Sequence, residues 1–182
     1  MTGIMVKPQG AGAFPVGSKA RYVSRSLVRP ADTNAYAAGD AVGLSTTAAD
    51  NLILVFDLKS ASGSGFIQEA LLIDGANVST KPDLQLWLFD RPITMDADNA
   101  VFTPTEDELM RLVTVIAFPT GAFVVGDATS GVGGNAVCDA QSLWIPFSLD
   151  DGCTSLYGVV VVRNAYVPVS AETFTFRLAI LD

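Results

Sequence analysis

The amino-acid sequence predicts an all-β, single-domain antiparallel β-sandwich, jelly-roll-like, with one short helix inserted between strands. Short apolar runs are separated by Gly, Pro, Asn and Asp, several of these runs alternate apolar and polar residues, and one run begins with a helix-capping motif. About eight strands fit a chain of 182 residues. A jelly roll and an immunoglobulin-like Greek key both remain open as topologies.

Residues 1–19 are predicted to form an extended N-terminal arm, and residues 20–182 the β-sandwich domain. The first segment contains four glycines and two prolines but no sustained hydrophobic period. Such an arm becomes ordered against a partner, whereas the alternative is a frayed terminus without a role. The candidate partner contacts in the arm are Met5, Val6, Pro8, Phe14, Pro15 and Val16.

The strands are predicted from period-two alternation and from β-branched and aromatic content. In residues 173–180, Phe, Leu and Ile alternate with Thr, Arg and Ala, which gives one core face and one outer face. Residues 142–149 repeat the alternation, and Pro146 indicates an edge strand or a bulge because it cannot donate to a ladder. Further strands are predicted at 52–58, 66–73, 84–89 and 156–163.

One short helix is predicted after residue 105. Thr105 and Glu108 have the spacing of a capping box, and Leu109, Leu112 and Val113 follow at helical intervals. We expect the helix to end near Leu112, because the β-branched run 113–116 favours a strand. The helix is therefore an insertion between strands and does not indicate an α/β layer.

Composition limits the partners. The net charge is −8, which argues against a nucleic-acid partner because such binding relies on Lys and Arg. The longest apolar runs are much shorter than a membrane span, and the N-terminus lacks a basic start followed by an apolar stretch, so we expect no membrane insertion and synthesis in a cytoplasm. Hydrophobic residues make up 49% of the chain, which indicates additional burial between subunits.

The sequence offers little for catalysis. Histidine is absent, which removes the commonest general base near neutral pH. A carboxylate pair could still hydrolyse glycosides, but acidic residues in the first helical turn are favoured structurally and Ala100 interrupts the calcium-loop pattern that begins at Asp96. We therefore predict no enzyme, no cofactor and no metal site. The acidic candidates considered are Asp96, Asp98, Glu106, Asp107 and Glu108.

Three other features have plain structural interpretations. The glycine-rich stretch 126–135 lacks a phosphate-loop lysine and is predicted to be a flexible surface loop, with a subunit contact as the alternative. The triplet 77–79 matches a glycosylation motif, which often occurs by chance. Cys138 and Cys153 are predicted to be small semi-buried residues, with a bridge between neighbouring strands as the alternative.

The two tryptophans lie inside β runs. There, Trp87 and Trp144 are predicted to be core or interface anchors. If either is exposed, its indole could stack on a sugar.

Several segments resemble a widespread family of small structural proteins of tailed bacteriophages. They are 29–43 (RPADTNAYAAGDAVG), 81–89 (KPDLQLWLF), 98–105 (DNAVFTPT), and 156–159 (LYGV) leading into 163–168 (RNAYVP). The resemblance covers most of residues 22–181 and does not include the arm. It implies a virion part and supplies no catalytic residues.

With the acidity, the apolar composition and the arm, the resemblance implies a capsid decoration or cement protein. Such a protein is made in the host bacterial cytoplasm and lies on the exterior of the capsid, where its negative charge is kept away from the packaged genome. Its expected partners are the major capsid protein and further copies of itself, with a homotrimer favoured. The alternative is a carbohydrate- or receptor-binding module of a phage fibre or tail, and head and tail locations both remain open.

Overall fold

Two antiparallel β-sheets packed face to face make up the fold. The computed structural model of the chain describes residues 20–59, 63–76, 79–125, 135–140 and 143–182. Within these ranges every strand pairing is antiparallel. The elements are β1 (Arg21–Val28), β2 (Ala41–Val42), β3 (Leu54–Asp57), β4 (Ser64–Asp74), β5 (Leu84–Phe89), α1 (Glu106–Leu109), β6 (Leu112–Phe118), β7 (Phe123–Val125), β8 (Ala136–Ala140), β9 (Ile145–Ser148), β10 (Ser155–Val162) and β11 (Thr173–Leu181), with single 3-10 turns at Ala48–Asp50 and Thr120–Ala122.

The strand order is that of a jelly roll. The six-stranded sheet runs β1-β11-β4-β8-β7, and β9 pairs with β4 beside β8. The five-stranded sheet runs β2-β10-β5-β6, and β3 pairs with β10 beside β2. The chain crosses between the sheets repeatedly, and the last strand lies between β1 and β4, as in a double Greek key. The predicted all-β sandwich with one short helix is confirmed.

Two details of the prediction are wrong. The described residues form eleven strands where about eight were expected, because two positions are each divided between two strands, β2 with β3 and β8 with β9, and the short β7 adds an edge strand beyond β8. The helix ends at Leu109 instead of near Leu112, because Leu112 already pairs with Phe89 at the start of β6. The predicted capping box is present, since the Thr105 side chain accepts from the Glu108 N–H and the Glu108 carboxylate accepts from the Thr105 N–H.

The main core lies between the two sheets. The alternation predicted in the last strand places Phe174, Phe176, Leu178 and Ile180 in this core, each at most 1% exposed. Their counterparts in the five-stranded sheet include Leu84, Leu86 and Leu88, all fully buried. Burying such side chains stabilises the fold by about 1.5–3 kcal/mol each.

Gly158 in β10 leaves space for side chains of the two neighbouring strands of its own sheet, β3 and β5. A Cβ atom on Gly158 would lie 2.9 Å from Phe56 Cε2 and 3.0 Å from Leu86 Cδ1. Only glycine therefore leaves room for these two side chains.

A second apolar cluster lies on the other face of the five-stranded sheet. The segment between β5 and α1 crosses this face and packs Ile93 and Met95 against Phe89, Val159 and Val161. Strand β10 is therefore buried on both faces, which explains its unbroken run of valines. By contrast, the outward residues of the six-stranded sheet other than the small Ala179 are exposed or half-buried, so none of the described segments covers that sheet.

Strand β9 is an edge strand, as Pro146 predicts. Within the described chain it pairs only with β4, where Pro146 lies opposite Phe66. The two cysteines are free, Cys138 buried in β8 and Cys153 half-buried. Burial raises the pKa of the Cys138 thiol to about 11, which keeps it protonated and unreactive near neutral pH.

Candidate functional site

The predicted partner contacts in the arm lie outside the described residues. These are Met5, Val6, Pro8, Phe14, Pro15 and Val16. Most of the glycine-rich loop at 126–135 and two residues of the 77–79 triplet also lie outside them. The arm and loop predictions therefore stay predictions.

The acidic candidates face different partners. Asp96 accepts the Thr103 N–H at 2.9 Å, whereas Asp98 is buried in a separate polar cluster. Glu108 accepts the N–H groups of Thr94 and Thr105 at 2.7 and 2.8 Å, and these hydrogen bonds lower the pKa of its carboxyl. The first-turn carboxylate thus has the structural role that the capping motif predicts.

Asp98 is the centre of a buried cluster that we call the Asp98 cluster, formed with Arg29 and Tyr36. The Arg29 and Asp98 side chains are 0% and 1% exposed, and the guanidinium Nη2 lies 3.3 Å from Asp98 Oδ2. Asp98 Oδ1 accepts the Tyr36 hydroxyl and the Gly43 N–H. The Arg29 Nε in turn donates to the Tyr36 oxygen, so one buried network connects the segment after β1 to the segment before α1.

A second buried group, the Glu172 cluster, consists of Tyr166, Glu172, Asp74 and Lys81. The Tyr166 ring stacks on Tyr36 with centroids 6.5 Å apart, which joins the two clusters. Tyr166 donates its hydroxyl to Glu172 Oε2. Lys81 Nζ lies 2.9 Å from Asp74 Oδ2 and also donates to a backbone carbonyl at 2.8 Å. Glu172 is 3% exposed, and its Oε1 is buried without a hydrogen-bond partner.

Glu172 therefore titrates far from its usual range. Burial raises the pKa of its carboxyl to about 7, opposed by the hydrogen bond from Tyr166 and assisted by the neighbouring negative charge of Asp74. Burial likewise raises the pKa of the Tyr166 phenol well above its usual value.

Three of the sequence segments singled out above, 29–43, 98–105 and 163–168, meet in these two clusters. Arg29 and Tyr36 come from residues 29–43, Asp98 from 98–105 and Tyr166 from 163–168. No structural role was predicted for these side chains from the sequence. Their arrangement follows the rule that a buried charge is paired and hydrogen-bonded. The two clusters join loops at one end of the sandwich. Because their side chains are buried, they cannot contact a ligand.

The solvent-facing side of the six-stranded sheet is the first accessible surface, which we call the outer six-stranded face. One row across five strands is Ser26, Thr175, Ile73, Val137 and Val124. The remaining outward residues include Tyr22, Ser24, Val28, Glu69, Leu71, Asp139, Thr173 and Arg177.

Apolar side chains dominate the middle and two edges of this face. Val124 is 73% and Val28 47% exposed, and Leu71, Ile73 and Val137 are half-buried. The Arg177 guanidinium lies 3.7 Å above the Tyr22 ring. The face therefore combines an apolar centre with polar side chains and three ionisable ones, Glu69, Asp139 and Arg177.

A shallow depression on the opposite sheet is the second accessible surface. It has a volume of about 340 Å³, and its central side chain is Trp87. Trp87 packs edge-on against Phe102 with ring centroids 5.5 Å apart, and its Nε1–H donates to Gln85 Oε1 at 3.2 Å. The lining also includes Gly39, Pro104, Val161, Val162 and Arg163.

Of the two predicted roles, core anchor or interface anchor, Trp144 does not have the first. It is 58% exposed and contacts the Phe66 ring edge-on at 6.2 Å. The residue lies just before β9 and has a positive φ of 48°, so the alternation of a regular strand does not set its direction. An interface role for Trp144 stays a prediction.

No protein-family model matches the chain, and no curated protein matches its sequence. The described part of the chain has no helix long and apolar enough to cross a membrane. Function is therefore argued from the chain's own residues.

Proposed function

We propose that the chain is a bacteriophage capsid decoration protein that binds the outer surface of the head and stabilises contacts between capsid subunits. The outer six-stranded face is the observation that supports it best. A sheet face that none of the described segments covers, with exposed and half-buried apolar side chains, is typical of an interaction surface, and the other sheet of the same sandwich is covered by its own segment. The resemblance of five sequence segments to phage structural proteins supports a virion part.

The distribution of charge supports docking through the outer six-stranded face. The chain carries a net charge of −8, but the outer six-stranded face includes only two of its carboxylates, Glu69 and Asp139, together with Arg177. Docking through this face leaves most carboxylates hydrated, which avoids the cost of burying unpaired charge. We propose a homo-oligomer, with a trimer favoured, on the exterior of the capsid.

Replacing Val124 by aspartate tests the docking face. V124D places a carboxylate in the proposed interface, and we expect occupancy on capsids that lack the protein to fall by about tenfold or more. Val101 provides a matched control, because it is 61% exposed but lies in the segment that covers the other sheet. V101D should bind like the wild type, and thermal melting should show that both variants fold. Equal binding by V124D and V101D would contradict the assignment of the face.

Deleting residues 1–19 tests the arm. The proposal expects the truncated protein to lose binding to purified heads while its melting temperature and circular dichroism spectrum stay unchanged, because the strands begin at Arg21. Occupancy is measured by sedimenting heads with bound protein. Undiminished occupancy would remove the arm from the proposal without affecting the sheet face.

The second candidate function is carbohydrate binding on a fibre, a tail or the decorated head. The depression at Trp87 favours it, because aromatic rings beside polar side chains are typical of sugar sites.

A further inference from the structure

We infer that the Trp87 depression binds a single neutral pyranose ring. The inference deepens the second candidate function, carbohydrate binding, and does not depend on capsid docking. The site is formed by Trp87 and Gln85 of β5, Arg163 after β10 and Phe102 of the segment that crosses the sheet.

The apolar part of the depression matches one face of a sugar. Trp87 and Phe102 meet at an interplanar angle of 74°, so they form a corner instead of a flat stack. Val161 and Pro104 extend the apolar lining. The C–H face of a pyranose can lie in this corner with contacts on two sides. The volume of about 340 Å³ is at the lower end of small-molecule sites and suits a single ring.

The polar part supplies hydrogen-bond donors in fixed positions. The Gln85 Oε1 is occupied by the indole N–H of Trp87, which turns the Gln85 amide and leaves its NH₂ as the donating end. The Arg163 side chain is 43% exposed, and its Nε lies 3.8 Å from Asp83 Oδ1, which is too long for a hydrogen bond. Its guanidinium donors therefore point at solvent beside the depression and can donate to hydroxyl oxygens.

The neighbouring charge selects a neutral ligand. Asp83 lies next to Arg163 at the edge of the depression. Its Oδ2 accepts from Asn164 at 2.9 Å, and its buried Oδ1 has no hydrogen-bond partner. This carboxylate offsets the positive charge of Arg163, and the whole chain carries −8. A phosphate or an acidic sugar would be repelled, whereas a neutral polyol would not.

The chain provides a direct optical test. It contains two tryptophans, so Trp144→Phe leaves Trp87 as the sole indole. In this background we would titrate glucose, galactose, mannose and N-acetylglucosamine, and follow Trp87 fluorescence. A saturable change with at least one sugar, at millimolar concentration, is the expected result. The absence of a saturable change with all four would overturn the inference.

Arg163→Ala in the same background tests the geometry. We expect it to weaken sugar binding by about tenfold, because one or two charge-assisted hydrogen bonds are lost. Arg177→Ala is the matched control, since Arg177 lies on the outer six-stranded face, and it should leave the affinity unchanged. Equal affinity in R163A and R177A would refute the assignment. Capsid occupancy of R163A should equal that of the wild type, so failure of sugar binding and failure of docking are separate outcomes.

Discussion

Replacing Asp98 by alanine is expected to lower the free energy of unfolding by about 3–5 kcal/mol, the usual cost of breaking a buried ion pair by removing one partner. The carboxylate accepts the Tyr36 hydroxyl and the Gly43 N–H, and it neutralises the fully buried guanidinium of Arg29. Without it, Arg29 keeps only Asp32 as an ionic partner, at 3.4 Å and on the partly exposed side of the cluster.

A neighbouring carboxylate provides the control for this experiment. Asp96 lies two residues earlier in the same segment and accepts the Thr103 N–H, so Asp96→Ala should cost only about 1 kcal/mol. Asp98→Asn, which keeps an acceptor oxygen but removes the charge, should fall between the two. Urea unfolding monitored by circular dichroism measures all three. If D98A were no less stable than D96A, the Asp98 cluster would have no structural role.

The stability of the protein is expected to fall between pH 5 and pH 8 because of Glu172. Burial holds the pKa of this carboxyl at about 7 in the fold, above its ordinary value of 4.5, so the folded state binds a proton more tightly than the unfolded chain. The resulting stabilisation is complete below about pH 4.5 and is lost as the pH rises through about 7. A difference of this size corresponds to about 3 kcal/mol at most.

Glu172→Gln should remove this pH dependence. The amide stays neutral at every pH, so the variant should be more stable than the wild type at pH 8 and should show a flatter profile between pH 5 and pH 8. Glu106→Gln is the control, because Glu106 is exposed in the first turn of α1. Thermal melts at several pH values measure the effect. A wild-type profile that rises over this interval would show that Glu172 is ionised in the fold.

The sequence predicts those parts of the fold that depend on local patterns. Strand β11 was predictable because one of its faces is buried and the other is open, which produces alternation. Strand β1 was not singled out, because Arg21 and Arg25 interrupt its pattern and bind Asp182 and Asp57, far away along the chain. Strand β10 shows no alternation, since a distant segment covers its second face.

The candidate sites depend on contacts that the sequence does not display. Trp87 could be singled out by residue type, but Phe102 and Arg163 join it only because β5, β10 and the crossing segment are neighbours in space. The Glu172 cluster likewise combines Asp74 at the end of β4 with a residue just before β11. In the sequence, this cluster is indicated locally only by the carboxylate of Asp74, which lies at the end of an apolar strand.

The position of β11 between β1 and β4 also determines how the protein folds. The ladder pairs Arg21 with Ile180 and Phe66 with Leu181, so an inner strand of the six-stranded sheet is the last strand of this sequence to leave the ribosome. Until then β1 and β4 have unpaired edges, which can pair with other chains. Because these contacts are so distant in sequence, refolding should take milliseconds to seconds, with the arrival of β11 as the slow step.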